Sequence, residues 1–203
     1  MSYRKLAIFT LVLVFSSSIL ANYEIEPLPS SKYKEASEFV VKYMSDDENV
    51  DLTGAKTAWA KELKKGLSFV CFKPGTQDII GVNILEIKTN SSGIPSACDV
   101  VFKKFNVRKY LITSAFVVHP NYRGKGIGKA LLRANEQICL KCGVKVTAGL
   151  FISDSSNILT DKLNYTKVHR SWSEVLNRMV TCKAFEYDHI VEADVKQPKC
   201  CGF

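Results

Sequence analysis

A chain of 203 residues, 46% hydrophobic and 24% charged, can bury one sizeable core, which argues for a single folded domain and against intrinsic disorder. Its net charge of +8 favours an anionic partner, whether a nucleic acid, an acidic membrane or a polyphosphate-bearing cofactor, without choosing among them. Nucleic acid is not expected, because no basic face interleaved with aromatic residues is visible.

The chain starts with Met1, Ser2, Tyr3, Arg4 and Lys5, then the apolar run LAIFTLVLVF, then SSSILA ending at Ala21. A basic start, an apolar stretch and a small-residue end are the pattern of a secretory signal over residues 1–21, with one domain over 22–203. Residues 6–21 are short for a membrane helix, which needs about 20 apolar residues. A short anchor held by Arg4 and Lys5 is the alternative, and the one way this chain would meet a membrane. The expected location is the secretory pathway or the extracellular space; the alternative is the cytoplasm. Removing residues 1–21 takes away two bases and no acid, leaving +6.

After the signal, YEIEPL (23–28) reads as a short strand. Tyr33, Ala36, Phe39, Val40, Tyr43 and Met44 form the apolar stripe of a helix, with Ser30 or Ser31 as its N-cap. A second helix covers residues 52–65, with Leu52, Ala55, Trp59 and Leu63 on one side. LSFVCFK and DIIGVNILEIK are β-rich runs joined by PGTQ as a hairpin. A polar loop spans 90–97 and VVFKKF reads as a short helix. YLITSAFVV (110–118) is continuously apolar, as a central strand buried on both faces would be. A single helix is expected over 126–142, burying Ile127, Ala130, Leu131, Ala134 and Ile138. A strand at 144–152, a short helix at 155–163 and strands at 165–172 and 179–195 complete an α+β domain.

Seven cysteines, at positions 71, 98, 139, 142, 182, 200 and 201, leave at least one without an intramolecular partner. Cys139 and Cys142 are spaced as CxxC within a helical pattern, with no second such pair and no histidine cluster. No metal site is expected.

The stretch FVVHPNYRGKGIGKALL (116–132) carries the chemistry. Pro120 ends the strand because it lacks an N–H. Gly124, Gly126 and Gly128 let the backbone turn with its N–H groups aimed one way, and the helix that follows adds the positive end of its dipole. Arg123, Lys125 and Lys129 add full charges. Such a nest suits a phosphate or pyrophosphate. A P-loop would need Ser or Thr after Gly128-Lys129, where Ala130 stands, and a dinucleotide fingerprint would need GxGxxG rather than GxGxG.

Arg123-Gly124-Lys125-Gly126-Ile127-Gly128 closely resembles the acyl-CoA loop in motif A of the GNAT N-acetyltransferase superfamily. The preceding FKKFNVRKYLITSAFVVHP is similar to the insect arylalkylamine N-acetyltransferase-like branch. The resemblance covers about residues 23–172. It implies a mixed central sheet with flanking helices and a strand–loop–helix acyl-CoA site. It also implies transfer of acetyl from acetyl-CoA, as co-substrate, to a small primary amine such as an arylalkylamine. Transfer would be direct within a ternary complex; separately, the chain is expected to be a monomer. Val117 and Val118 would offer backbone groups to the pantetheine arm and the carbonyl oxygen, and residues 123–129 would hold the pyrophosphate.

For the general base the family uses a glutamate after the first helix, commonly in Asp-Glu-Pro-Leu; Glu48 matches, with Asn49 in place of the proline. His119 beside the loop lies outside the family's catalytic positions, so a structural role is expected. The tyrosine acid of many members is Thr160 here. The arylalkylamine branch uses serines in this region, and Ser153 and Ser156 are nearest; a serine there would be a relay or a thiolate hydrogen-bond donor. By default the same serines are helix N-caps. The family's Gly-Phe is Asn164-Tyr165, which leaves Tyr165 as a secondary candidate. Phe39, Tyr43 and Trp59 could line an amine pocket or simply fill the core.

These departures keep open a reading of another class: a secreted GNAT-fold acyl-CoA-binding protein without catalysis. Two N-glycosylation sequons are present, Asn90-Ser-Ser and Asn164-Tyr-Thr. Asn90 is expected to carry glycan and Asn164 to escape, buried beside the site.

Overall fold

The computed structural model describes residues 23–44, 52–90, 96–174 and 177–193. Seven strands form one sheet: β1 (Ile25–Pro27), β2 (Phe69–Phe72), β3 (Ile79–Thr89), β4 (Lys109–Val118), β5 (Val146–Phe151), β6 (Thr166–Ser173) and β7 (Arg178–Glu186). Their order is β1-β2-β3-β4-β5-β7-β6. Every neighbouring pair is antiparallel except β4 and β5, which run parallel. A parallel pair needs a crossover, and the helices α4 (Ile127–Arg133) and α5 (Asn135–Cys142) supply it.

Helices cover both faces. On one, α1 (Tyr33–Met44) and α2 (Thr53–Leu63) bury Phe39, Val40, Trp59 and Leu63 against Val82, Ile84, Ala115 and Val117. The short α3 (Val100–Lys104) closes the same face further along, over Tyr110, Ile112, Val146 and Ala148. On the other face α4 and α5 bury Ile127, Leu131 and Ile138 against Leu85 and Leu111. The helix α6 (Asp154–Lys162) follows β5.

Strand β4 shows why its apolar run has no simple alternation. Ile84 pairs with Ala115 but Leu85 pairs with Thr113, so Ser114 is an extra residue, a β-bulge. The bulge resets the side-chain parity. Tyr110 and Ile112 before it, and Ala115 and Val117 after it, all enter the core on the α1–α3 face.

The parallel pairing is brief. It runs only from Leu111↔Thr147 to Thr113↔Gly149, and beyond that register β4 continues to Val118 without β5 beside it. The two strands part like a fork. Asn135, fully buried, sits over this point: its Nδ2 donates to Thr147 Oγ1 at 3.0 Å and to Thr113 Oγ1 at 3.5 Å, and its Oδ1 accepts from Asn83 Nδ2 at 2.8 Å.

Four expectations are corrected. Ser30 and Ser31 do not stand at the cap position of α1: with Lys32 they form a 3-10 turn after Pro29 that leads into α1. The helix expected over 126–142 is two segments meeting at Ala134, where Gln137 N–H reaches the Ala134 carbonyl, a tighter i→i+3 bond. Strand β7 ends at Glu186, because Tyr187 leads into a turn in which Ile190 N–H donates to its carbonyl. Asn164 is exposed rather than buried, with φ 61°. Asn tolerates this left-handed conformation, which is how it replaces the family's glycine.

Candidate active site

The glycine loop stands at the end of β4, beside the open arm of the fork. His119 N–H donates to the Ile80 carbonyl at 2.9 Å. By the alternation of an antiparallel ladder, Val117 therefore turns its N–H and C=O toward β3. Phe116 and Val118 turn theirs toward the side β5 has left. Of the two valines named from the sequence, Val118 is the one whose backbone faces the gap. Its carbonyl accepts from Arg123 Nε at 3.1 Å, folding that side chain back over the strand end.

Between strand and nest, His119 has the structural role expected of it. Its Nδ1 accepts from the Asn121 N–H at 3.2 Å and caps the turn Pro120–Tyr122. Its ring lies 4.8 Å from Tyr43 at the end of α1 and 5.5 Å from Tyr122. Lys125 Nζ lies 4.8 Å over the Tyr122 ring, a cation–π contact that holds this base near the loop.

Gly124 and Gly126 have φ of 77° and 84°, which L side chains avoid. A Cβ on Gly126 would meet nothing within 4 Å, so the nest opens onto free space. Gly128 serves a different end: a Cβ there would lie 3.1 Å from Phe116 Cζ and 3.1 Å from Leu159 Cδ2. Its lack of a side chain lets α4 settle between β4 and α6. The first helical bond is Ala130 N–H to the Gly126 carbonyl, so the amides of Ile127, Gly128 and Lys129 precede the helical ladder. Arg123, Lys125 and Lys129 are exposed around them. Three amides outside the helical ladder, a helix start and three exposed cations around them suit an anion.

Glu48 lies outside the described residues. Ser153 and Ser156 come together at the start of α6, engaged with each other. Ser153 Oγ accepts from Ser156 N–H at 3.2 Å, and Ser156 Oγ donates to the Ser153 carbonyl at 2.8 Å. Thr160 is fully buried, its hydroxyl turned back to the Ser156 and Asn157 carbonyls, both at 2.9 Å. Tyr165 is buried between Phe151 and Phe185. Burial pushes its phenol well above the usual range, and its hydroxyl faces Thr147 and Asn135 without closing a hydrogen bond. It is a core residue, not a proton donor at the surface. Phe39 and Trp59 likewise belong to the core, and Tyr43 is half-buried against His119.

Two residues went unnoticed in the sequence. Lys183 on β7 is buried, and its ammonium donates to the Asn157 carbonyl and Asp161 Oδ1, both at 2.8 Å, fastening α6 to the sheet. A lysine between Cys182 and Ala184 inside a strand was the available signal. Asn135 had one too: it stands four residues after Leu131 and three before Ile138, on the buried stripe.

Cys98 and Cys182 are joined by a disulfide, linking the turn before α3 to β7. Cys71 and Cys139 are free and buried. Among the described residues no group of His, Cys, Asp and Glu could hold a metal ion, and no helix is long and apolar enough to cross a membrane.

Residues 33–158 match the family model described as Acetyltransferase (GNAT) family. No curated protein matches the sequence. Among solved structures, a protein assigned as arylalkylamine N-acetyltransferase 7 of the mosquito Aedes aegypti is 23% identical with a TM-score of 0.70, covering 81% of this chain and 87% of its own. The polyamine N-acetyltransferase of Drosophila melanogaster, which forms N-acetylagmatine, is 14% identical with a TM-score of 0.68, covering 82% and 100%. The NatC complex bound to Gag peptide and CoA is 14% identical with a TM-score of 0.60, covering 81% and 98%. These likenesses are of fold. Together with a family model that spans the α1-to-α6 core and the glycine loop at its centre, they place the chain in the GNAT acetyltransferase family.

Proposed function

We propose that the chain transfers the acetyl group of acetyl-CoA to a small primary amine, an arylalkylamine in the reading drawn from its sequence, by direct attack within a ternary complex. One observation carries this: the glycine nest and the unpaired edge of β4 lie side by side at one end of the sheet. The nest suits the pyrophosphate. The backbone groups that Phe116 and Val118 turn away from β3 suit the amides of an extended pantetheine arm, added to the edge like a strand once Arg123 releases the Val118 carbonyl. The CoA seen with the NatC complex is consistent with this use of the fold.

In this reading Glu48 takes the proton from the attacking amine, so that nitrogen attacks as the free base. The amide edge of β4 polarises the thioester carbonyl. Ser156, released from the Ser153 carbonyl, donates a hydrogen bond to the departing thiolate. The disulfide Cys98–Cys182 supports export through the N-terminal signal, since such bonds persist in oxidising compartments.

A second reading has its own observation: both serine hydroxyls are already engaged in capping α6, and Thr160 is buried. These favour an acyl-CoA-binding protein without turnover. Titration of the purified protein with acetyl-CoA, followed by release of free CoA thiol in the presence of arylalkylamines, separates the two. Binding with turnover is expected. Binding without it establishes the second reading, and no binding removes both.

A further inference from the structure

We propose that Asn164 is the acceptor of an N-linked oligosaccharide, reversing the expectation from sequence that folding hides it. The sequon Asn164-Tyr165-Thr166 lies at the turn between α6 and β6. Asn164 and Thr166 are exposed, whereas Tyr165 between them is buried and anchors the turn. The backbone N–H of Asn164 donates to the Asp161 carbonyl at 3.0 Å, but its side-chain amide has no partner among the described residues. With φ 61° the residue stands at the outside of a tight turn. A glycan there meets solvent and disturbs no native bond.

The position is also set apart from the serine pair. Ser153 stands at the start of α6 and Asn164 just past its end, so the nine-residue helix separates them by about 14 Å. A sugar on Asn164 is therefore carried on the opposite end of α6 from the serine pair. It does reach the start of β6, which among the described residues pairs only with β7 and ends the sheet. An exposed edge strand invites pairing with other chains, and a bulky polar group beside it opposes that.

The step needs a lipid-linked oligosaccharide diphosphate as donor. Asn164 Nδ2 forms a bond to the sugar's anomeric carbon, the bond from that carbon to the diphosphate oxygen breaks, and Nδ2 gives up one proton. Nothing is oxidised or reduced. The inference rests on export of the chain, which the Cys98–Cys182 disulfide supports independently of the N-terminal residues.

The test is expression of the full chain in eukaryotic cells, followed by peptide mass spectrometry before and after N-glycosidase in heavy-oxygen water. The Asn164 peptide should appear as labelled aspartate only after the enzyme. Thr166→Ala should abolish this without affecting Asn90, and Asn90→Gln should leave it intact. Asn90, exposed at the end of β3, serves as the internal control. An unmodified Asn164 peptide beside a modified Asn90 overturns the site itself. Both unmodified overturns export, and the proposal with it.

Discussion

Asn135 Nδ2 donates to Thr147 Oγ1 at 3.0 Å, tying the junction of α4 and α5 to β5 two residues before its last contact with β4. The same side chain reaches Thr113 of β4 and Asn83 of β3, so one amide joins three strands beneath the helix that begins at the nest. Asn135→Leu would leave those buried groups unpaired. We expect a loss of about 1–3 kcal/mol of stability, and a fall in Tm of roughly 2–4 °C for each kcal/mol. Thermal and denaturant unfolding measure it, and an unchanged Tm would show the bridge to be idle.

Gly126→Leu should abolish acetyl-CoA binding while the protein stays folded. Its Cβ meets no protein atom, so the side chain would enter only the space assigned to phosphate, and its φ of 84° adds backbone strain of about 1–2 kcal/mol. Calorimetric titration of both proteins, with circular dichroism as the folding control, decides the matter. Wild-type binding should weaken as salt rises. Equal affinity in the variant would remove the nest from the site.

Glu48→Gln should lower kcat/KM by about 10²-fold near neutral pH. The deficit should shrink at high pH, where the free amine already dominates. A loss independent of pH would point to amine binding or folding instead of proton transfer.

The two serines should separate by their readouts. Ser153→Ala removes the cap of α6 and should cost about 1 kcal/mol of stability. Ser156→Ala should chiefly lower kcat, by roughly 10- to 100-fold, the worth of a hydrogen bond to a charged group. Turnover unaltered by Ser156→Ala would take that residue out of the mechanism.

Burial raises the Cys71 thiol to about 11 and pushes that of Cys139 above its ordinary range as well. In each case the folded state holds the proton more tightly than the unfolded one. Stability should therefore be full below the ordinary thiol range and fall as pH rises from about 9 toward 11. Neither thiol should react with iodoacetamide at pH 8 until the protein is unfolded. Labelling of native Cys71 at that pH would contradict its burial.

How far the sequence could be read depended on whether a feature is local. The strand, the Pro120 stop and the three glycines are written in consecutive residues, so the nest is legible in the sequence itself. Ser114 was not: a bulge is a property of two strands in register, and an apolar run such as YLITSAFVV has no alternation to betray it. The break at Ala134 is likewise tertiary, arising where Asn135 is drawn inward. Misjudging Asn164 had another cause. Its place in the family's Gly-Phe turn suggested burial, but only Tyr165 enters the core.

The disulfide between Cys98 and Cys182 has a topological consequence. With a sequence separation of 84 residues, it encloses α3, β4, the nest, α4, α5, β5, α6, β6 and the start of β7 in one covalent ring, while β1 to β3, α1 and α2 hang outside it. By loop-closure entropy such a ring lowers the freedom of the unfolded chain by about 4–5 kcal/mol. A protease that cuts the β6–β7 turn therefore releases no fragment until the bond is reduced. The half of the fold that carries the glycine nest is held together by its own perimeter.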